Sequence, residues 1–292
     1  MNRQLVVNAD DFGMTAGVSR GIARAYDEGL VTSASLLANL TGFEEAVKIA
    51  HARPGMSVGL HLNLTDGSPV SPADQVRSLV DDRGRFHGYR AFSLRLLSGR
   101  IVRSELRREI DAQFERLERA GIQPSHVDGH RHIHLLPLLF DAVAAAAEQR
   151  GVRTVRCPAG LGGRAAPAGI ASARELGFIG FGRLHYGRLA DRGLQTADCF
   201  LGAGFRSRGD LEDAVGRLAD LPAGLTEWMV HPGEVDAELI FCDDYLQKRE
   251  EELEFLCSKE AAEAVEAAGL KLVNFHREPK LRVSAGASQR VA

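Results

Sequence analysis

Short apolar segments of strand character alternate with longer segments of helical period along almost the whole chain, and this alternation restricts the fold more than any other feature. Leu5–Asp10, Val31–Asn39, Val58–Leu64, His126–His130, Thr154–Pro158, Thr196–Leu201, Thr226–His231 and Lys271–Phe275 read as strands. Ala16–Glu28, Phe43–Ala52, Val102–Ala120, Pro137–Arg150, Gly209–Leu221, Asp244–Cys257 and Lys259–Ala268 read as helices. Thr15 suits the N-cap of the first helix, Gly29 its end, and Pro137 the first turn of the fourth. Such a pattern predicts an α/β fold with a parallel sheet and outer helices. A distorted (β/α) barrel and an open doubly wound sheet both satisfy it, and both collect functional residues at the C-terminal ends of their strands.

Two stretches interrupt the pattern. Thr65–Gly88 is polar, rich in glycine and proline, and longer than most connections, which is common for functional loops. The segment 159–193 is rich in glycine, arginine and alanine, with a short helix expected at Ala168–Leu176. Residues 1–280 are expected to form one domain, and 281–292 a disordered tail. With 292 residues, 45% of them hydrophobic, the chain can bury one large core. A net charge of −3 argues against nucleic acid as a partner. No apolar run approaches the roughly 20 residues that span a bilayer, and Met1–Val7 lacks the apolar core of a leader peptide. The four cysteines are far apart and read as reduced thiols, so a cytoplasmic location is expected. Whole-chain totals leave room for a peripheral contact with the inner membrane.

The strand ends carry the chemistry. Asp10 and Asp11 close the first strand, and adjacent carboxylates there need a cation or strong donors. A division of labour suits them, one binding metal and the other polarising a water. His61 lies within an apolar strand, where a core role competes with a ligand role. In an extended backbone His126, Asp128 and His130 share one face, while His132 and His134 keep that parity only if the strand continues. One or two of these histidines suffice for a metal; His130 is the choice, with Asp128 placed to orient an imidazole. Asp, His and His from three strands suit one divalent ion, zinc best, with manganese, cobalt and iron also suited and magnesium a weaker fit. His231 precedes Pro232 and Gly233, which hold it in an extended backbone; histidine exchanges a proton near neutral pH, so it is a candidate general acid. Arg156 ends a strand and either pairs with a carboxylate of the site, binds a substrate oxygen or makes a surface ion pair. Trp228 suits a sugar subsite or the core. Gly160–Gly163 lacks the setting of a nucleotide fingerprint, and the chain has neither a Walker A pattern nor a Gly-x-Ser-x-Gly elbow.

Asn8-Ala-Asp-Asp-Phe-Gly13, Gly59-Leu-His-Leu-Asn-Leu-Thr65, Ser125-His-Val-Asp-Gly-His-Arg-His-Ile-His134 and His231-Pro-Gly-Glu234 together resemble the YdjC/ChbG-like carbohydrate deacetylases, from about Leu5 to about Phe275. The overall pattern resembles the hopanoid-biosynthesis-associated HpnK branch. The resemblance implies a distorted, TIM-like β/α barrel and metal-dependent removal of acetyl from an N-acetylated amino sugar. It places the metal on Asp11, His61 and His130, the base on Asp10 and the acid on His231, although some members carry tyrosine at the last position. Asp128, Arg156, His132 and Trp228 are then expected around the ligands or against substrate. The HpnK branch implies an N-acetylglucosaminyl hopanoid lipid as substrate; the other branch implies chito-oligosaccharides. A homodimer is a family-level expectation. Competing readings are another metal-dependent amidohydrolase or phosphoesterase, and a non-catalytic carbohydrate- or lipid-binding protein with a structural metal.

Overall fold

The computed structural model describes residues 2–158, 173–202 and 216–276. Among these, eight strands form one sheet: β1 (Arg3–Phe12), β2 (Ser33–Leu36), β3 (Ser57–Leu62), β4 (His126–Gly129), β5 (Thr154–Val155), β6 (Cys199–Leu201), β7 (Gly224–Val230) and β8 (Lys271–Leu272). The spatial order is β5-β4-β3-β2-β1-β7-β6, with β8 beside the start of β1, and every pairing is parallel. The two edges meet through the residues that lead into β6. Val155 N donates to Gln195 O at 2.9 Å, and Gln195 N donates to Arg153 O at 2.7 Å. The sheet therefore curls into a distorted barrel, and the open doubly wound alternative is excluded.

Helices α1 (Ala16–Asp27), α2 (Phe43–His51), α3 (Tyr89–Leu97), α4 (Arg103–Arg119), α5 (Leu139–Gln149), α6 (Ala173–Asp191), α7 (Leu239–Cys242), α8 (Leu246–Leu256) and α9 (Lys259–Ala267) accompany the strands. Thr15 caps α1, its hydroxyl accepting from Val18 N at 3.2 Å. The segment around 168–176 differs from expectation: its helix runs to Asp191, through Gly177, Gly180, Gly182 and Gly187. Its expected start lies outside the described residues, as do Gly160–Gly163, the start of the 209–221 helix and the 281–292 tail. The long loop after β3 is fastened to α4. Buried Glu109 accepts from Val70 N and Ser71 N, both at 2.9 Å, and Glu105 accepts from Ser78 N at 2.7 Å.

Strand parity divides the barrel into two environments. Leu5, Val7 and Ala9 of β1 and Trp228 and Val230 of β7 join the large core beneath the helices. The alternate residues turn inward. Val6, Ala197, Leu225, Val273 and Phe275 plug one end of the interior. The His126 ring lies on Phe275, with centroids 4.0 Å apart. Beyond that plug the inward positions are polar: Asn8, Asp10, Ser35, His61, Asp128, Arg156 and Glu227, all buried. Gly59 is a steric requirement of this arrangement, because a Cβ there would collide with the His126 ring. Gly59→Ala is expected to destabilise the protein by about 1–3 kcal/mol, the usual cost of forcing atoms into a packed interior. Chemical denaturation checks this, and an unchanged midpoint would contradict it.

Candidate active site

Arg156 is the hub of the polar interior. Its Nη1 and Nη2 donate to the two oxygens of Asp10, both at 2.6 Å, while Nε donates to Glu227 Oε1 at 2.8 Å. Nη2 also lies 2.7 Å from Asp128 Oδ2. One buried guanidinium thus binds three carboxylates from β1, β4 and β7, which is the active-site reading of Arg156 and not the surface ion pair. Asn8 Nδ2 donates to Asp10 Oδ1 at 2.9 Å and to Ser35 Oγ at 2.8 Å. Ser35 Oγ in turn donates to Asp128 Oδ2 at 2.8 Å.

Asp11 points elsewhere, because the backbone changes hand. Asp11 has φ 64°, an uncommon conformation for a residue other than glycine, and the β1–β2 register slips between Ala9 and Phe12. This irregularity lets two consecutive aspartates reach separate places. Asp11 Oδ2 accepts from Arg249 of α8 at 2.7 Å, and Oδ1 accepts from His130 Nδ1 at 2.8 Å and lies 3.4 Å from His61 Nε2. Each imidazole has its other nitrogen on a further carboxylate: His61 Nδ1 is 2.7 Å from Asp128 Oδ1, and His130 Nε2 is 3.4 Å from Asp66 Oδ2.

This geometry suits a metal. One ligand atom from each of Asp11, His61 and His130 lies within 4.8 Å of the others. The remaining imidazole nitrogens already face carboxylates, the arrangement that fixes the tautomer of metal-binding histidine. The charge balance agrees: Asp10, Asp11, Asp128 and Glu227 are buried, and among the described residues Arg156 and Arg249 are the arginines that face them. A second group, Asp10, His61 and Asp128, also meets the spacing. There, however, Arg156 already occupies both aspartates, and a cation would sit against a guanidinium. The residues therefore fit one divalent ion on Asp11, His61 and His130.

In the absence of an ion, protons serve that charge balance. Burial alone would push the Asp11 carboxyl up, but Arg249 and His130 outweigh it and hold it well below the usual carboxylate range. Burial disfavours a charged His61, yet Asp128, Asp10 and Asp11 together raise it to about 10. His130 is raised against burial by Asp11 and Asp66. Burial pushes Glu227 up to about 7 despite Arg156.

Other expected residues fall in different places. His231 follows Val230, whose register partner is Ala9, so it stands at the strand end beside the Asp10 position. Its backbone N–H donates to Glu252, and its ring meets the Tyr245 ring edge-on, 5.7 Å between centroids. His132 does not join the metal group. Arg131 and His132 both have φ 56°, ending the strand, and the His132 ring lies against Phe200. His134 is buried, and its Nε2 donates to the Arg156 carbonyl at 2.9 Å. Trp228 is corrected outright as a sugar-subsite residue: it is 0% exposed, because its parity turns it away from Glu227 and into the helix-covered core. Sequence reasoning missed Glu227, Asp66, Ser35 and Arg249 as site residues. A lone glutamate in the strand Leu225–Val230 was a usable signal; Arg249, within Lys248-Arg-Glu-Glu-Glu252, resembles any solvated helix face. A cleft of about 660 Å³, lined by Asp66, Gly88, Tyr89, Arg90, Ala91 and Arg131, opens beside His130 through their shared Asp66.

The fold and site define an α/β-barrel protein with a buried Asp–His–His group at its strand ends. A family model described as YdjC-like protein matches residues 4–267, and the chain belongs to that family. It is 36% identical over 275 residues to the carbohydrate deacetylase of Brevibacillus brevis, covering 93% of this chain and 98% of the relative. It is 32% identical over 290 residues to the carbohydrate deacetylase of Geobacillus stearothermophilus, covering 96% and 100%. The crystal structure of an Enterococcus faecalis protein named for cellobiose-phosphate cleavage superimposes with a TM-score of 0.76 at 28% identity, covering 94% of this chain and 98% of that one.

A pH dependence follows for the metal-free protein. His61 is raised from 6.5 to about 10, so its protonated ring stabilises the fold fully below about 6.5, and this is lost as pH rises through about 10. The thermal midpoint of chelator-treated protein should fall across that window. Affinity for a divalent ion should rise across it, because binding must displace the proton. Melting curves and titration calorimetry in buffers of different ionisation enthalpy measure both; ion binding without proton release would contradict the assignment.

Proposed function

We propose that the chain is a metal-dependent carbohydrate deacetylase that removes acetyl from an N-acetylglucosaminyl group. The observation that carries this reading is the separation of the paired aspartates: Asp11 lies with two imidazoles, and Asp10 with Arg156 at the end of the same strand. The relatives named carbohydrate deacetylase support it. Asp11, His61 and His130 would hold one divalent ion, with zinc the best chemical match, and such an ion supplies Lewis-acid polarisation of the acetyl carbonyl and acidifies water.

The chain's own groups then divide the proton work. Arg156 fixes both oxygens of Asp10; Oδ1 also accepts from Asn8, so Oδ2 keeps the lone pair that can accept a proton from the attacking water. Asp128 holds His61 by Nδ1 and so leaves Nε2 toward Asp11. His231 donates to the departing amine nitrogen as the C–N bond breaks, yielding acetate and the free amino sugar. The cleft beside Asp66 receives the sugar. The substrate proposed is lipid-linked, an N-acetylglucosaminyl hopanoid, in keeping with the HpnK-like pattern.

Incubation with N-acetylglucosaminyl hopanoid and, separately, with chitobiose tests reaction and substrate together. Acetate release from the lipid-linked sugar is expected; release of phosphate from phosphoester substrates with no acetate from either sugar would overturn the reading. His231→Ala is expected to lower kcat by about 10²–10⁴-fold, the usual contribution of general acid–base catalysis, and to remove the limb of the pH–rate profile that requires a protonated donor. An unchanged kcat and profile would remove His231 from that role.

A further inference from the structure

Helix α3 has no consistent polar side. Phe92 and Leu96 face the core and are buried, whereas Leu94 and Leu97 are 68% and 70% exposed on the opposite face. Val102, just beyond the helix, is also exposed. A surface helix ordinarily turns charged and polar residues outward. Here the charged residues surround the outward leucines. The stretch 83–104 contains Arg83, Arg85, Arg90, Arg95, Arg100 and Arg103 and no aspartate or glutamate, in a chain whose net charge is −3. Arg90, Arg100 and Arg103 are exposed, and none of them forms an ion pair among the described residues. Gly88, Tyr89, Arg90 and Ala91 begin this segment and also line the cleft.

We infer that α3 and the turn after it form a docking surface for an anionic lipid bilayer, placing the cleft mouth at the membrane. Outward leucines flanked by unpaired arginines are the chemistry of an interfacial helix: the apolar side chains enter the acyl boundary and the guanidinium groups meet lipid phosphates. A nucleic acid would satisfy the arginines and leave Leu94, Leu97 and Val102 in water. Another exposed apolar pair, Ile240 and Phe241, is flanked by Glu238, Asp243 and Asp244 and lacks that complementarity. No helix among the described residues is long and apolar enough to cross a membrane, so the contact is peripheral. This inference deepens the lipid-linked reading of the substrate, but its test requires no substrate and no turnover.

The test is co-flotation of the full chain with vesicles of phosphatidylcholine alone and of phosphatidylcholine mixed with phosphatidylglycerol. Wild type should float with the mixed vesicles and remain behind with the neutral ones. Leu94→Gln/Leu97→Gln and Arg100→Glu/Arg103→Glu should each weaken flotation by roughly tenfold. Both variants should keep the thermal midpoint of the wild type, so that lost flotation does not report unfolding. No flotation with mixed vesicles overturns the inference. So does flotation of the leucine variant equal to wild type, which would reduce the contact to charge alone. Concentration-dependent dimerisation that is lost in the leucine variant, without vesicle binding, would assign the face to a second copy of the chain.

Discussion

Four buried carboxylates gathered around two guanidinium groups are the constraint on which the rest of the structure depends. Asp10, Asp11, Asp128 and Glu227 are all withdrawn from water. Buried charge is tolerated only when paired and fully hydrogen-bonded. Arg156 achieves this for three of the four, and its position sets the distances between β1, β4 and β7 at their C-terminal ends. Arg249 reaches in from α8 to meet Asp11 and also binds Asp243 at 2.6 Å. Negative charge still exceeds the positive charge supplied by arginine. The excess is greatest around Arg156, which faces three carboxylates, and His61, in contact with both Asp128 and Asp11, is where either a proton or a divalent ion can balance it.

The barrel makes this charge density usable. Its interior is layered, with an apolar plug under His126 and the polar network above it. The plug closes one end of the barrel, so access to the network is from the C-terminal strand ends. The same alternation that fills the outer core with Leu5, Val7 and Trp228 directs Asn8, Asp10 and Glu227 inward. Asp11 escapes the alternation only through its left-handed backbone. That irregularity lets adjacent residues take different partners, one on arginine and one beside the histidines.

Much of this was legible in the sequence, for a physical reason. Strand period and strand-end placement are local properties, so Asp10, Asp11, His61, Asp128, His130 and Arg156 could be located from short motifs. The barrel itself could not be separated from an open sheet by periodicity, because closure depends on long-range contacts such as the pairing between Arg153–Val155 and Gln195. Arg249 was hidden for a similar reason: nothing in a charged helical run shows that one arginine is buried against an aspartate 238 positions away. Trp228 carried a readable signal that went unused, since it neighbours inward Glu227 and must face the other side. Asp66 sits in a polar loop, and its role depends on Asn63, whose Oδ1 accepts from Asp66 N at 3.1 Å and folds the loop back toward His130.

Asp11, His61 and His130 are expected to hold a common ion. Diffraction from crystals grown with zinc, collected on both sides of the zinc absorption edge, examines it directly. One strong anomalous peak is expected in the barrel, within bonding distance of a carboxylate oxygen of Asp11 and one nitrogen each of His61 and His130. A barrel without such a peak, or a peak held by Asp10 and Asp128 in place of a displaced Arg156, would contradict it.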